Sequence, residues 1–420
     1  MKVRVRLLNP CLLTTLCVLM MCGTRTPAMS GPSVIRLIRL GFLPTAEEID
    51  AKNGFLYVVG VDSPLLLHVR IGVLSLRTGL LIRTIALPNQ ARGPALLRIA
   101  DRSNRVLAIA GSDFGGPVVA AVNASSGKLM HISRIGPQAS VLPGVPYDES
   151  GISAAIDDSL SRILIFFTVT SGAASTAIAE ILDLRDGRVV HTASMAGNNA
   201  PVAEYVDESR HRLLALNAGR YAVVEFDTGS GKLLWTSEKI QGGGTCGVVS
   251  GGKGAPLLVV NQAPPSSVSF FDGRSGRVLR TIPLGARISM LPPCSVAVDE
   301  TINRAFIVAQ GQIINGVAQQ RGNLVVLDAR RGRVARIVPV GFAPLSVAFR
   351  QSDRHVFVAN AGDSRRLSDG SVSVLDGVSG QALRTITLPG NPNTVVVDQK
   401  KGTAFVCLST GTATGSVAEL

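Results

Sequence analysis

"SVSVLDGVSGQALRTITLPGNPNTVVVD", residues 371–398, decides the fold of this chain. Its apolar runs are separated by turn residues, so it predicts two strands around a Gly-containing turn, then a Pro-containing connector and a third strand. Closely similar phrases precede it, "NLVVLDARRGRVARIVPVGFAPLSVAF" (323–349) and "SVSFFDGRSGRVLRTIPLG" (267–285). The chain is therefore built from an internal repeat.

Each repeat contains four apolar runs, and the phrase for the first two runs occurs eight times. These phrases begin at residues 45, 96, 153, 202, 246, 295, 346 and 394. A four-stranded antiparallel unit of this size has two apolar faces and cannot bury them alone, so neighbouring units are expected to stack around an axis. The sequence thus predicts an all-β fold, a β-propeller of four-stranded antiparallel blades.

The two ends of the sequence predict how the ring closes. The eighth unit ends at "GSVAEL" (415–420), after its third strand, whereas "RLIRLG" (36–41) matches fourth-strand phrases such as "RTIPLG" (280–285). We expect this N-terminal strand to complete the last blade. Eight blades result, with seven as the alternative if one degenerate unit does not form a separate blade.

The polar residues that recur in every repeat are predicted to shape its turns. An Asp or Asn at the end of the third strand can accept hydrogen bonds from nearby backbone N–H groups, and the Gly that follows can adopt the positive φ of a tight hairpin. We assign the same role to the carboxylates that end the first strands. A ring of carboxylates could also suggest metal sites, but turn capping explains these positions, Asp101, Asp157, Asp207, Asp299 and Asp398.

The C-terminal repeats resemble a known family. "VPVGFAPLSVAFRQSDRHVFVANAGD" (338–363), followed by "GSVSVLDGVSGQALRTITLPGNPNTVVVD" (370–398), is similar to the YVTN repeats of exported bacterial and archaeal surface proteins, which form WD40-like propellers. The match is best over residues 294–409 and looser over the first four units. The resemblance implies a binding or surface-associated protein, and it carries over no catalytic residue.

The N-terminal segment predicts export. A basic start is followed by an apolar stretch from Leu7 to Gly23, with small residues near Ala28 at plausible cleavage positions. We expect a signal peptide over 1–28 and one propeller domain over 34–420, located outside the cell, on its surface or in the periplasm. Lipid attachment at Cys22 and an uncleaved membrane anchor are the alternatives. Of the later cysteines, Cys246 and Cys294 occupy matching positions, where they would form a bridge or remain two buried thiols.

Two surfaces are candidates for binding. Loops on the face that carries the connectors predict a ligand site formed by Asn360, Asp363, Arg365, Arg366 and Asp369. On the opposite face, a basic residue directly follows a turn glycine in five repeats. This basic rim, which could meet an anionic wall polymer or lipid headgroups, consists of Lys128, Arg188, Lys232, Arg277 and Arg333.

Enzymatic alternatives rest on few residues. "FDTGSGKLLWTS" (226–237) resembles one blade of the quinoprotein dehydrogenases, but Trp235 is the only Trp and no adjacent cysteines occur. A lactonase-like propeller is a second alternative. We therefore expect a non-enzymatic monomer without a cofactor or metal, which binds an unidentified protein, a cell-wall polymer or a small ligand. Despite a net charge of +13, no nucleic-acid-binding motif is present.

Overall fold

The chain forms a closed ring of eight blades, each a four-stranded antiparallel sheet. The computed structural model describes residues 34–63, 68–88, 91–112, 116–136, 152–171, 174–195, 202–217, 222–238, 240, 245–250, 256–261, 266–284, 295–311, 313–314, 317–362, 370–410 and 414–420. The predicted signal peptide and Cys294 lie outside these residues. No helix long and apolar enough to span a membrane occurs within the described ranges.

The first four blades follow one another along the chain, and in each the strands run from the centre of the ring outwards. Blade 1 contains β2 (Leu43–Asp50), β3 (Phe55–Val61), β4 (Val69–Ser75) and β5 (Leu80–Ala86). Blade 2 contains β6 (Ala91–Ala100), β7 (Arg105–Ser112), β8 (Val118–Asn123) and β9 (Lys128–Arg134). Blade 3 contains β10 (Ser153–Asp157), β11 (Arg162–Ser171), β12 (Ala174–Asp183) and β13 (Val189–Met195). Blade 4 contains β14 (Val202–Asp207), β15 (Arg212–Asn217), β16 (Ala222–Asp227) and β17 (Leu233–Thr236).

The last four blades repeat this order, except that blade 8 takes its outer strand from the start of the chain. Blade 5 contains β18 (Thr245–Ser250), β19 (Leu257–Asn261), β20 (Ser267–Phe271) and β21 (Val278–Pro283). Blade 6 contains β22 (Val296–Asp299), β23 (Arg304–Ala309), β26 (Arg321–Asp328) and β27 (Arg333–Phe342), with a small hairpin of β24 (Ile313–Ile314) and β25 (Val317–Ala318). Blade 7 contains β28 (Pro344–Arg350), β29 (His355–Asn360), β30 (Ser371–Asp376) and β31 (Ala382–Thr387). Blade 8 contains β32 (Asn391–Asp398), β33 (Thr403–Ser409), β34 (Gly415–Glu419) and β1 (Arg36–Arg39).

The predicted closure of the ring is confirmed. Strand β1 pairs with β34 in antiparallel register, with Arg36 opposite Glu419 and Arg39 opposite Ser416. The backbone N–H groups of Ile35 and Leu40 extend this ladder by donating to blade 8. Eight blades form, so the seven-bladed alternative is wrong. The eighth unit forms a complete blade because the N-terminal strand supplies its fourth strand.

The hydrophobic core is divided among the seams between blades. In the described residues, each pair of successive blades shares one cluster of buried side chains, so eight blades give eight clusters. The cluster between blades 8 and 1 includes Phe42, Leu56, Phe405 and Val417, which come from both ends of the chain. Burial of apolar surface is the main favourable contribution to folding, so closing the ring is stabilised in the same way as every other seam.

The turn prediction is confirmed where the turns are described. Between the third and fourth strands of blades 1 to 7, the turn glycine has a φ between +56° and +74°. The side-chain oxygen of the polar residue that ends the third strand accepts hydrogen bonds from backbone N–H groups of the same turn. For example, Asp227 accepts from the N–H of Ser230 at 2.8 Å. First-strand carboxylates also cap turns, since Asp299 accepts from the N–H of Thr301 at 2.9 Å and Asp398 from that of Lys400 at 3.0 Å. The turn after Asp101 differs, because the N–H groups of Arg102 and Ser103 donate to Asp158 of blade 3.

A second contact explains why the turn residue is glycine. In each of seven seams, a side chain on the fourth strand of one blade lies within 4 Å of where a Cβ atom on the next blade's turn glycine would be. In six of them this distance is 3.0 Å or less, and between Arg83 and Gly127 it is 3.9 Å. A Cβ atom built on Gly276 would lie 2.4 Å from the Trp235 ring, and one on Gly187 would lie 2.6 Å from Nε2 of His131. The side chains that occupy this position are Arg36, Arg83, His131, His191, Trp235, Arg280 and Arg336. We call this contact the outer latch.

Hydrogen bonds reinforce the outer latch at three of its four Arg positions. Arg83 donates to the carbonyl oxygen of Ser126 at 3.0 Å, and Arg280 donates to that of Arg331 at 2.6 Å. Arg36 donates to the carbonyl oxygen of Thr78 in the same way, across the closing seam. Flat side chains as different as Arg, His and Trp occupy one position because each packs over a residue that lacks a Cβ atom.

Replacement of a latch glycine should destabilise the ring more than replacement of a glycine that has the same backbone but no neighbour. In Gly276→Ala the new Cβ atom stands on a residue with positive φ and against the Trp235 ring. A Cβ atom on Gly54, at φ +75°, would have nothing within 4 Å. We expect Gly54→Ala to cost about 1–2 kcal/mol in backbone strain and Gly276→Ala to cost roughly a further 1–3 kcal/mol for displacing the ring. Urea unfolding of both variants measures the difference, and equal losses would contradict the latch.

Candidate interaction surface

The ring presents two faces that differ in the loops they carry. Because neighbouring strands are antiparallel, the first-to-second and third-to-fourth hairpin turns share one face, which we call the hairpin face. The second-to-third loops and the links between blades share the opposite face, which we call the connector face. The basic rim was predicted on the hairpin face and the ligand loops on the connector face.

The ligand-site prediction falls mainly outside the described residues, which do not include Asp363, Arg365, Arg366 or Asp369. The fifth residue, Asn360, ends β29 and is fully buried. Its Oδ1 accepts from the N–H of Gly341 at 3.0 Å, and its Nδ2 donates to Ser373 Oγ at 3.0 Å. Asn360 therefore connects three segments of blades 6 and 7, and the ligand site itself stays a prediction.

The basic rim is present as a row of exposed side chains on blades 2 to 6. Each residue directly follows a turn glycine with positive φ. It therefore lies where the outer strand begins, at the edge of the hairpin face. Within the described ranges, no ion pair involves any rim residue, Lys128, Arg188, Lys232, Arg277 or Arg333, and all five side chains are exposed. The rim therefore presents positive charge to solvent.

The carboxylates of the neighbouring turns have other partners. Arg162 lies 3.0 Å from Asp183, and Arg304 lies 3.5 Å from Asp328, in each case reaching from the second strand of the same blade. Hydrogen bonds from Arg185 lower the pKa of Asp183 to about 2, and burial opposes this shift only partly. These carboxylates are ionised and already paired with arginines of their own blades. They therefore neutralise the positive charge of the rim less than a count of charges suggests.

An apolar belt accompanies the basic rim. In the part of the chain that the structure describes, the exposed large apolar side chains lie on outer strands, except for Ile35, directly before β1, and Val378, in the turn before β31. Blades 1 to 4 each carry two of these residues, which are 39–60% exposed. The members of the belt there are Leu80, Ile82, Leu129, Met130, Val189, Val190, Leu233 and Leu234.

The sequence analysis missed this belt although its residues stand next to the rim. "GKLM" (127–130), "GRVV" (187–190) and "GKLL" (231–234) each place two apolar residues after the basic one. In a propeller both faces of a blade are apolar, so a strand lacks the alternation that would separate exposed from buried positions. The available signal was the repeated occurrence of apolar pairs beside a charge in an outer strand.

A buried carboxyl group lies in the seam between blades 8 and 1. Glu47 on β2 is 2% exposed. Its Oε1 accepts from Thr394 Oγ1 at 3.0 Å, and its Oε2 accepts from Cys407 Sγ at 2.7 Å. Burial raises the pKa of Glu47 to about 8, although both hydrogen bonds oppose the shift. Such a pKa suits acid–base chemistry, but the group is enclosed between two blades together with the buried thiol of Cys407, so it belongs to the seam.

A hydrogen-bonded His–Asp pair also lies in a seam, where it joins blades 3 and 4. Nδ1 of His211 lies 3.0 Å from Asp157 Oδ2, and Ser159 Oγ lies 3.4 Å from the same nitrogen. A Ser–His–Asp relay uses opposite ring nitrogens for its serine and its carboxylate, so this arrangement is not one. Thr228 of blade 4 also donates to Asp157, which makes the cluster a clamp between blades. No group of three or more potential metal-binding side chains occurs among the described residues.

Solved structures with the same architecture are numerous, whereas sequence comparisons find no relative. No protein-family model matches the chain, and no curated protein matches it. The crystal structure of Sqt1 from Saccharomyces cerevisiae aligns with a TM-score of 0.65 at 9% identity, covering 91% of this chain and 98% of that one.

Two further structures align less closely. The β-propeller domain of Cps50 (Swd1) from Myceliophteria thermophila aligns with a TM-score of 0.52 at 12% identity, covering 91% of this chain and 98% of that one. Hydrazine synthase from Kuenenia stuttgartiensis gives a TM-score of 0.52 at 12% identity, covering 75% of this chain and 92% of that one. At these identities the likeness establishes the fold alone. The chain is a WD40-like β-propeller, an architecture that serves binding proteins and enzymes alike.

The seam carboxyl predicts how stability depends on pH. Between about pH 4.5 and pH 8, Glu47 keeps its proton in the folded chain and loses it on unfolding, so wild-type stability should fall as the pH rises through this window. Glu47→Gln removes this titration. We expect the free energy of unfolding of this variant, relative to that of the wild type, to rise by a few kcal/mol across the window and then to stay constant.

Urea unfolding at a series of pH values measures this difference. Glu300→Gln removes one carboxylate from an exposed turn and serves as the matched control. A pH profile of Glu47→Gln that parallels the wild-type profile would show that Glu47 is not the group responsible.

Proposed function

We propose that this chain is an exported, non-enzymatic propeller of the YVTN type, and that it binds an anionic partner through the basic rim of its hairpin face. The observation that carries the proposal is the rim itself, five exposed basic side chains on five consecutive blades without ion pairs in the described structure. Export and family membership rest on the N-terminal segment and on the C-terminal repeats described above.

The arrangement of charges supports binding to an extended partner. The basic positions recur once per blade, so they form a curved row and do not converge on a pocket. An extended polyanion or an anionic surface can contact several of them together, and its attraction to the rim adds up over the row. The chemically reactive residues of the described structure give no comparable site, because Glu47 and the Asp157–His211 pair lie in seams between blades.

Neutralising the rim tests this proposal. The variant Lys128→Gln/Arg188→Gln/Lys232→Gln should bind an immobilised cell-wall polyanion or anionic surface fraction at least about tenfold more weakly than the wild type at low salt. The expectation follows from the loss of three charges that each contribute about 1 kcal/mol to attraction near an anionic surface, which together exceeds the roughly 1.4 kcal/mol that a factor of ten requires. High salt should reduce wild-type binding towards the level of the variant.

A matched variant separates the two faces of the ring. Arg39→Gln/Arg365→Gln/Arg366→Gln removes the same number of charges, one from the connector end of β1 and two from the loop that the sequence analysis predicts as a ligand site. We expect this variant to bind as the wild type does. Loss of binding in the loop variant with retention in the rim variant would move the site to the connector face, and uptake of a quinone with calcium would contradict a non-enzymatic role.

A further inference from the structure

We infer that the anionic partner of the hairpin face is a lipid bilayer, on which the basic rim contacts headgroup phosphates while the apolar belt of blades 1 to 4 enters the interface. This inference rests on the proposed function and names the partner class for the same surface. It adds an apolar contribution to binding, which a purely electrostatic partner would not use.

The belt and the rim are parts of one repeated pattern. On blades 2, 3 and 4 each basic residue is followed by two exposed apolar residues, as in Lys232, Leu233 and Leu234. Consecutive residues of a strand are separated by about 3.3 Å, so the apolar side chains begin within a few ångströms of the charge. A long basic side chain can keep its charged end in the headgroup layer while its stem and the neighbouring apolar groups lie deeper.

The composition of this surface distinguishes a bilayer from a charged polymer. A polyanion would pair with the rim but leave eight large apolar side chains in water. On blades 2 to 4 these residues occur as adjacent pairs beside a basic residue, whereas scattered single exposed apolar residues need no explanation. Binding to an anionic bilayer increases with buried apolar area and with electrostatic attraction, and this surface offers both.

The start of the chain points to the same face. Strand β1 begins at the hairpin face, because Arg36 donates to Thr78 in a hairpin turn of blade 1. Ile35, immediately before it, is 69% exposed. Residues 1–33, which contain the apolar stretch from Leu7 to Gly23, join the ring at this point. The N-terminal end of the described chain therefore lies on the same face as the rim.

The sequence supplies a reporter for the contact. Trp235 is the only Trp in the chain and follows the exposed Leu234 on β17. Energy transfer from this residue to a dansyl-labelled lipid therefore measures how close the belt of blade 4 comes to a vesicle. Flotation of the full chain with vesicles measures binding independently of this reporter.

The experiment uses the full chain with vesicles of phosphatidylcholine, alone or mixed with phosphatidylglycerol. We expect binding and energy transfer with the anionic vesicles, and weaker binding at high salt. The belt variant Met130→Gln/Val190→Thr/Leu234→Gln should lose about tenfold in affinity for these vesicles while keeping its affinity for a soluble polyanion. The control Ile337→Thr/Phe342→Gln/Val378→Thr changes exposed apolar residues outside the arc and should bind as the wild type does.

The outcomes separate this inference from the proposed function. If the rim variant loses binding to vesicles and polyanion alike while the belt variant binds both normally, the rim is a polyanion site and the lipid inference is wrong. If vesicles float with the chain without energy transfer from Trp235, or if all variants bind equally, the N-terminal segment alone holds the lipid and the inference is again wrong. Circular dichroism and thermal unfolding of each variant confirm that the ring is intact.

Discussion

The pairing of β1 with β34 is the contact on which the ring depends. Without β1, blade 8 would expose the edge of β34, and the apolar cluster shared by blades 8 and 1 would lose Ile38 and Leu40. An open ring would also expose the apolar faces of its two terminal blades, each of which has no other partner. Because the two strands come from opposite ends of the chain, the complete ring forms only when both ends have been placed.

The contacts between blades involve the same residues that form the turns. The turn glycine of one blade allows a tight hairpin. Because it has no Cβ atom, the outer-latch side chain of the preceding blade can pack directly against it. A similar series joins the inner strands, where Ser295 accepts from the N–H of Val347 and Ser346 accepts from that of Val395. In the closing seam this position is Thr394, which donates to Glu47. The seams are therefore variations on one repeated arrangement, with the carboxyl group as the exception.

Polar groups inside the ring and on its rim have different roles. Buried groups such as Asp157, Glu47 and Asn360 are occupied by hydrogen bonds between strands or blades. The turn carboxylates are likewise engaged with backbone N–H groups and with arginines of their own blades. Among the described residues, the basic rim and the apolar belt beside it are exposed.

The sequence by itself determined the repeats, the four strands of each blade, the turn residues and the closing strand. These features follow from local signals, namely apolar runs, turn glycines and the likeness of "RLIRLG" to the other fourth strands. It also predicted the basic rim, since each of the five residues is defined by its position after a turn glycine.

Only the tertiary structure decided which apolar residues face water, which polar residues are buried and how the seams are joined. Leu234 and Phe270 both lie in apolar strands, but Leu234 is exposed and Phe270 is buried in a seam. Glu47 meets Cys407 from the other end of the chain, and Asn360 is enclosed where a loop residue was expected. The physical reason is that a blade is apolar on both faces, so burial depends on the neighbouring blade, and residues far apart in the sequence supply that neighbour.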